Sequence, residues 1–203
     1  MWLEHFLMVD VNESNVYLVA CLGTRRAALI DAAAFDKGIL AAVRENGFSV
    51  SAILITHDHY DHTGGLADYV AAFPDCEVIA GGPTAGPCDA RVVRDGEVLH
   101  VGNLTTRVLA MGGHTDDSVA YHFTEIIRAA ESASPSPLSA SILFSGDALF
   151  AGSVGGTAGE SNRREELASI RSKVFSLPES TIIYPGHGPA TTVGVEKRHN
   201  PFF

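Results

Sequence analysis

Thr56-His57-Asp58-His59-Tyr60-Asp61-His62-Thr63-Gly64-Gly65 sets three histidines and two aspartates into six consecutive positions, 57–62. It follows the apolar run Ala52-Ile53-Leu54-Ile55, which reads as a buried strand, and precedes an apolar-periodic segment from about Gly65 to Phe73 that reads as a helix. The cluster is therefore predicted to sit in a loop at the C-terminal end of a strand, where α/β proteins usually place their sites. Along an extended segment side-chain direction repeats every two residues, so His57 and His59 project to one side and can chelate one ion. Asp61 and His62 come after a turn and can face a second ion. Neutral imidazole and carboxylate oxygen suit zinc, iron or manganese. Folding a polar loop does not ask for H-x-H-x-D-H, so a ligand role is preferred to histidines that merely satisfy one another.

On the N-terminal side of this stretch the pattern is strand-rich. Leu3–Val9 alternates as an edge strand, Asn12-Glu13-Ser14-Asn15 is a turn, and Val16–Cys21 and Ala27–Ile30 are strands. A helix is predicted over 36–46, with Ile39, Leu40 and Val43 on one face and Asn46-Gly47 as its stop. On the C-terminal side Glu77–Ala80 is a strand, and residues 81–96, rich in Gly, Pro and Asp, read as a loop with little regular structure. That loop either shapes a substrate entrance or is a solvated connection. Glu97–Val101 and Leu104–Ala110 form a hairpin about Gly102-Asn103, and Ser118–Phe123, Ser141–Phe144 and Thr181–Tyr184 are strands. Residues 131–137, Glu-Ser-Ala-Ser-Pro-Ser-Pro, read as a flexible surface insertion. Arg163–Phe175 is an amphipathic helix with Leu167, Ile170, Val174 and Phe175 apolar. Strands followed by a helix, twice, suit two sheets with helices on their outer faces.

At 203 residues one domain, 1–203, is expected, and a hydrophobic fraction of 46% is ample for its core. A net charge of −10 argues against broad contact with a phosphate backbone, so no nucleic-acid partner is expected. Cys21, Cys76 and Cys88 lie in no C-x-x-C pair and read as small buried hydrophobes. No basic-then-apolar leader opens the chain, and no apolar run approaches the ~18 residues that span a membrane, so a cytoplasmic protein without a membrane partner is expected. The sequence assigns no oligomeric state.

Three further loops share the form of the first, an apolar run ending in glycine beside a potential ligand: Met111-Gly112-Gly113-His114-Thr115, Phe144-Ser145-Gly146-Asp147 and Tyr184-Pro185-Gly186-His187-Gly188. Each alone reads as an ordinary loop. The ordered set H-x-H-x-D-H, H, D, H resembles the metallo-β-lactamase superfamily over nearly the whole chain. Asn15–Val19, Leu29-Ile30-Asp31, Gly146–Phe150, Tyr184–Thr192 and the tail Glu196–Phe202 resemble its glyoxalase II-like branch.

The resemblance implies an α/β fold of the αββα type, two mixed β-sheets packed face to face with helices outside and the ligand loops on one edge. It implies two divalent metal ions, zinc first and iron or manganese as alternatives. His57, His59 and His114 would bind one ion, Asp61, His62 and His187 the other, and Asp147 would bridge them. A shared carboxylate offsets the repulsion of two close cations, and metals lower the pKa of bound water to about 7, giving a hydroxide that attacks a carbonyl. Asp61 and Asp147 are accordingly the catalytic candidates. Asp31 matches a position that supports a ligand histidine, with turn capping as its other reading. Asp58 is expected to point away. Tyr60 and Tyr184 line the mouth or pack in the core, and His5, His100, His122 and His199 are surface or packing residues.

The chain departs from the branch in three places. It ends soon after the last ligand, so the helical domain of glyoxalase II that helps hold glutathione is expected to be absent. The stretch Gly152–Glu160 lacks the Gly-Arg followed by an acidic residue that many single-domain relatives carry after the bridging Asp loop. Met111-Gly112-Gly113 replaces the more usual Pro-Gly before the histidine. The expected activity is hydrolysis of a small acyl compound, a thioester above all. A mononuclear iron persulfide dioxygenase is the alternative, and behind it stand a lactonase, an RNA-processing nuclease and a noncatalytic binding module. Filled ligand positions argue against the last, and the acidic charge against the nuclease.

Overall fold

Val16, Leu18 and Ala20 face one way from a strand and Tyr17 and Val19 the other, and all five are buried. A strand apolar on both faces must be covered on both, and this requirement organises the layers. The computed structural model describes residues 1–127 and 138–203; the insertion reading for 131–137 lies outside the described residues. The first sheet draws on β1 (Trp2–Met8), β2 (Ser14–Ala20), β3 (Arg26–Ile30), β4 (Ser49–Leu54) and β5 (Glu77–Ala80). Between them come α1 (Lys37–Glu45), α2 (Tyr60–Thr63) and α3 (Leu66–Ala72). A short hairpin, β6 (Thr84–Ala85) with β7 (Cys88–Asp89), and the last strand of the sheet, β8 (Arg91–Val92), follow. The second sheet draws on β9 (Val98–Val101), β10 (Leu104–Ala110), β11 (Val119–Ile127) and β12 (Leu138–Gly146). After the small hairpin β13 (Leu149–Phe150) and β14 (Ser153–Val154) come α4 (Glu160–Ser169), β15 (Ile182–Pro185), β16 (Thr191–Thr192) and α5 (Val193–His199).

The first sheet has the order β1-β2-β3-β4-β5-β8 and the second β16-β15-β12-β11-β10-β9. Each is mixed. In the first, β1, β2 and β3 pair antiparallel while β3, β4, β5 and β8 run parallel. In the second, β12 and β15 are parallel and the remaining pairs antiparallel. Three apolar layers alternate with the sheets. Leu18, Leu29 and Ile53 meet Ile39, Leu66 and Tyr69 of the first helices. Tyr17, Ile30 and Leu54 meet Val108, Tyr121, Phe123 and Phe144 between the sheets. Leu143 and Ile183 meet Ile170, Val174 and Val193 under the last helices. Each such aromatic or branched side chain contributes about 1.5–3 kcal/mol on burial. This is the αββα arrangement expected from the sequence.

Three local readings change. Residues 81–96 hold the short strands β6, β7 and β8, because two-residue pairings survive among glycines and prolines that break longer ones. The helix expected over 163–175 starts at Glu160, and a single π turn over Ile170–Val174 completes it. Tyr60 is 78% exposed, while Tyr184 stacks on Phe144 beside the inter-sheet core. No helix among the described residues is long and apolar enough to cross a membrane.

Candidate metal centre

The parallel run of β3, β4 and β5, and of β12 and β15, sends the C-terminal ends of these strands to one edge of the sandwich. Asp31 follows β3, His57 and His59 follow β4, His114 follows β10, Asp147 follows β12 and His187 follows β15. The short helix α2 turns the chain so that Asp61 and His62 face back toward His187. The seven predicted ligands thus converge in three overlapping groups: His57-His59-His114, His57-His62-Asp147 and Asp61-His62-His187. Within each group the candidate ligand atoms lie within 4.8 Å of one another. The close approach of His187 needs Gly186, where a Cβ would collide with Asp147 Oδ1 and His62 Cε1.

Hydrogen positions follow from the partners. Thr56 Oγ1 donates to Asp31 Oδ2 at 2.9 Å, so at 3.1 Å it accepts from His57 Nδ1. His62 Nδ1 donates to Asp31 Oδ2 at 2.9 Å, and His114 Nδ1 to the Gly156 carbonyl at 2.7 Å. With one nitrogen committed outward, each of these rings turns an Nε2 lone pair inward. His57 Nε2 lies 3.0 Å and His114 Nε2 3.1 Å from His59 Nδ1, and His62 Nε2 lies 3.3 Å from His187 Nε2. Facing lone pairs at such distances repel unless a proton or a cation stands between them. Asp147 Oδ1 is buried and has no hydrogen-bond partner among the described residues; it lies 3.4 Å from His62 Nε2, and Oδ2 lies 3.4 Å from His187 Nε2 and 3.9 Å from His114 Nε2. Inward lone pairs around an orphaned carboxylate fit divalent cations.

The electrostatics agree. Burial and the adjacent charge of His62 push the His57 imidazole down to about 2. Burial opposes charge on His62 as well, but the carboxylates of Asp31 and Asp147 overcome it and raise the group to about 10. Pairing with Asp147 raises His187. Burial opposes ionisation of Asp147, and the facing His187 and His62 imidazoles hold it far below the usual carboxylate range. Without metal, the carboxylates therefore favour protonation of His62 and His187 beside Asp147, at the place where cations would otherwise be favoured.

Asp31 sits at φ +60°, buried, and accepts from both Thr56 N (2.7 Å) and Thr56 Oγ1 besides His62. It supports a histidine of the cluster, the first of its two sequence readings. Asp58 points away and accepts from Gly86 N in the 81–96 loop. His5 bonds Asn15 at 2.7 Å and His122 bonds Ser141 at 2.8 Å, both outside the cluster. Sequence reasoning missed Asn12, whose side chain donates to Asp61 Oδ2 at 2.8 Å, and Thr56 as a partner of His57. It also missed Glu166, a fully buried carboxylate on α4. The Gly156 carbonyl that orients His114 is backbone and leaves no residue-type signal.

The model of the metallo-beta-lactamase superfamily matches residues 9–125, more than half of the chain. The hydroxyacylglutathione hydrolase of Rhodospirillum rubrum is 34% identical over 87% of this chain, which spans 63% of that relative's length. Among solved structures, ETHE1 from Myxococcus xanthus superposes with a TM-score of 0.81 at 29% identity, covering 99% of this chain and 84% of that one. TTHA1623 in a di-iron-bound form gives a TM-score of 0.74 at 29% identity, covering 98% of this chain and 100% of that one. Family model, fold and convergent histidines agree, and the chain belongs to the metallo-beta-lactamase superfamily.

Proposed function

We propose that this chain is a dinuclear metallohydrolase that cleaves a small acyl compound, a thioester first among candidates. The observation that carries the reading is the position of Asp147, with one carboxylate oxygen toward His62 and the other toward His114 and His187. His57, His59 and His114 would hold one ion, Asp61, His62 and His187 the other, and Asp147 both. Zinc suits the donor set, with iron or manganese as alternatives. Bound there, two divalent cations would supply a nucleophile from water near neutral pH and polarise the substrate carbonyl.

The chain's own residues do the rest. Asp147 keeps a negative charge at the centre, and Asp61, tethered by Asn12, adds a second at the rim. Asp31 and Gly156 O fix the tautomers of His62 and His114, so that neither ring directs an N–H inward. A thioester leaves as a thiolate, whose conjugate acid has a pKa of about 8.5, and needs no proton donor at the leaving atom. An amide nitrogen would need one. A centre lined by imidazole lone pairs and carboxylates favours the thioester, as does the name of the Rhodospirillum rubrum relative. The net charge of −10 favours a small-molecule substrate over nucleic acid.

The likeness to ETHE1 keeps one other reading, a mononuclear iron dioxygenase acting on a persulfide through the three histidines and Asp147. The complete Asp61-His62-His187 group favours two ions. Metal analysis of protein purified without added metal, paired with thioester and lactone hydrolysis and oxygen uptake on a persulfide, tests both. Two metals with thioester turnover are expected. His57→Ala should empty mainly one position and Asp61→Ala mainly the other. One iron with oxygen uptake, or full occupancy in both variants, refutes the assignment.

A further inference from the structure

Glu166, Ile170 and Val174 occupy the buried stripe of the last long helix at spacings of four, and all three are 0% exposed. A carboxylate in such a core position costs several kcal/mol unless it is paired. Its hydrogen-bond partner among the described residues is Arg163, whose Nη1 lies 3.4 Å from Oε2, while Oε1 has none. Burial pushes this carboxyl up to about 7 against the pull of Arg163 and of the nearby Gly155 backbone N–H. The proposed reaction does not use it.

Its surroundings suggest a use. The helix passes so close to Gly113, the residue before His114, that a Cβ there would lie 2.6 Å from Glu166 Cβ. On the other side, a Cβ at Gly155 would lie 2.7 Å from Glu166 Oε1 and 2.9 Å from His114 Nδ1. Glu166 Oε1 and the imidazole thus crowd the same face of Gly155. Arg163 Nη1 also donates to the Gly155 carbonyl at 3.1 Å, and the Phe202 ring covers its guanidinium at 5.0 Å. The next carbonyl, that of Gly156, accepts from His114 Nδ1.

We propose that Glu166 and Arg163 are positioning residues for His114, acting through the Gly155-Gly156 backbone. Arg163 holds the Gly155 carbonyl and Glu166 braces the Gly155 amide side. Together they set the direction of the Gly156 carbonyl, and that carbonyl sets the His114 ring. With no side chain at 155 or 156 to lock this turn by packing, the helix does so by charge.

The inference rests on His114 being a ligand, as in the proposed function. The test is chelator competition on the metal-loaded protein, resolving the two positions, together with the Co(II) absorption spectrum. Glu166→Leu removes charge and bracing but fills the space, so thermal stability should hold or rise. The ion at His57-His59-His114 should bind about tenfold more weakly, in the range seen for lost outer partners of metal ligands. The ion at Asp61-His62-His187 should be unaffected, and Glu166→Gln should recover most of the loss. Arg163→Met, which frees the Gly155 carbonyl, carries the same expectation should the leucine variant not fold. Wild-type affinities and an unchanged Co(II) spectrum in the Glu166 variants overturn the proposal, as does equal weakening at both positions. A wild type that binds one ion refutes the dinuclear reading instead, and competition at the three-histidine position still decides the role of Glu166.

Discussion

Asp31→Asn keeps the shape of a buried side chain and inverts one hydrogen bond. Asparagine tolerates the left-handed backbone that Asp31 adopts at φ +60°, so the substitution adds little strain. In the native protein Oδ1 accepts from Thr56 N at 2.7 Å, and Oδ2 accepts from Thr56 Oγ1 and His62 Nδ1, each at 2.9 Å. An amide must place its NH2 at one of these positions. Opposite Thr56 N–H it would face another donor, so it takes the Oδ2 position and donates to His62 Nδ1. His62 then carries its proton on Nε2, pointing into the centre where a lone pair is needed. Loss of such a support weakens metal binding roughly 10–100-fold, or about 1.4–2.7 kcal/mol. The lost charged hydrogen bond costs folding about 1.5–3 kcal/mol more.

The pH dependence gives a second readout. In the metal-free protein the His62 pKa is raised from 6.5 to about 10, above its unfolded value. That stabilisation is complete below about pH 6.5 and disappears as pH rises through 10. Asp31→Asn removes one of the two carboxylates responsible, so the fall should shrink. Denaturant unfolding of metal-free wild type and variant between pH 6 and 10, with metal competition at neutral pH, measures both effects. Wild-type affinity together with an unchanged pH slope would refute the tautomer argument.

Asp147→Ala should lose both metals and nearly all thioesterase activity, roughly 10²-fold or more, and Asp147→Asn should retain some weakly bound metal; two tight metals with normal turnover in the alanine variant would sink the bridging role. Residues 131–137 separate strands whose pairing runs to Ile127↔Leu138, so removing a few of them should lower Tm by less than ~10 °C. A larger drop in a thermal melt would show that the run packs against the body.

The strands that carry the centre were legible because they are buried on both faces, as in Ala27–Ile30 and Ala52–Ile55, and run within two residues into Asp31 and His57. The seven ligand candidates were picked out by carrying the superfamily's motif order onto this chain, and the fold brings them together. What supports them was less legible. By residue pattern alone Asp31 was a polar residue ending a strand, and its supporting role came only from the family resemblance, since its bonds to Thr56 and His62 join segments 25 and 31 residues apart. Glu166 was hidden by the assumption that a helix buries its apolar positions; it stands four residues before Ile170, where the periodicity asks for a hydrophobe. The 81–96 strands escaped because two-residue pairings have no periodicity to read.

The loop that carries His187 is held from the other end of the chain. Asn15 Nδ2 donates to the Pro185 and Gly188 carbonyls at 3.0 and 2.9 Å, Tyr17 Oη donates to Pro185 O at 2.7 Å, and Asn15 N donates to Gly186 O at 2.7 Å. These bonds close a loop of more than 160 residues, a separation that places their formation late in folding. The two proposed ion positions draw on loops of both sheets, so neither is complete until the sheets have docked. An ion at either proposed position would therefore meet a chain whose two sheets have already come together. The His187 side of the proposed centre can form only after residues 15–17 and 185–188 have come together.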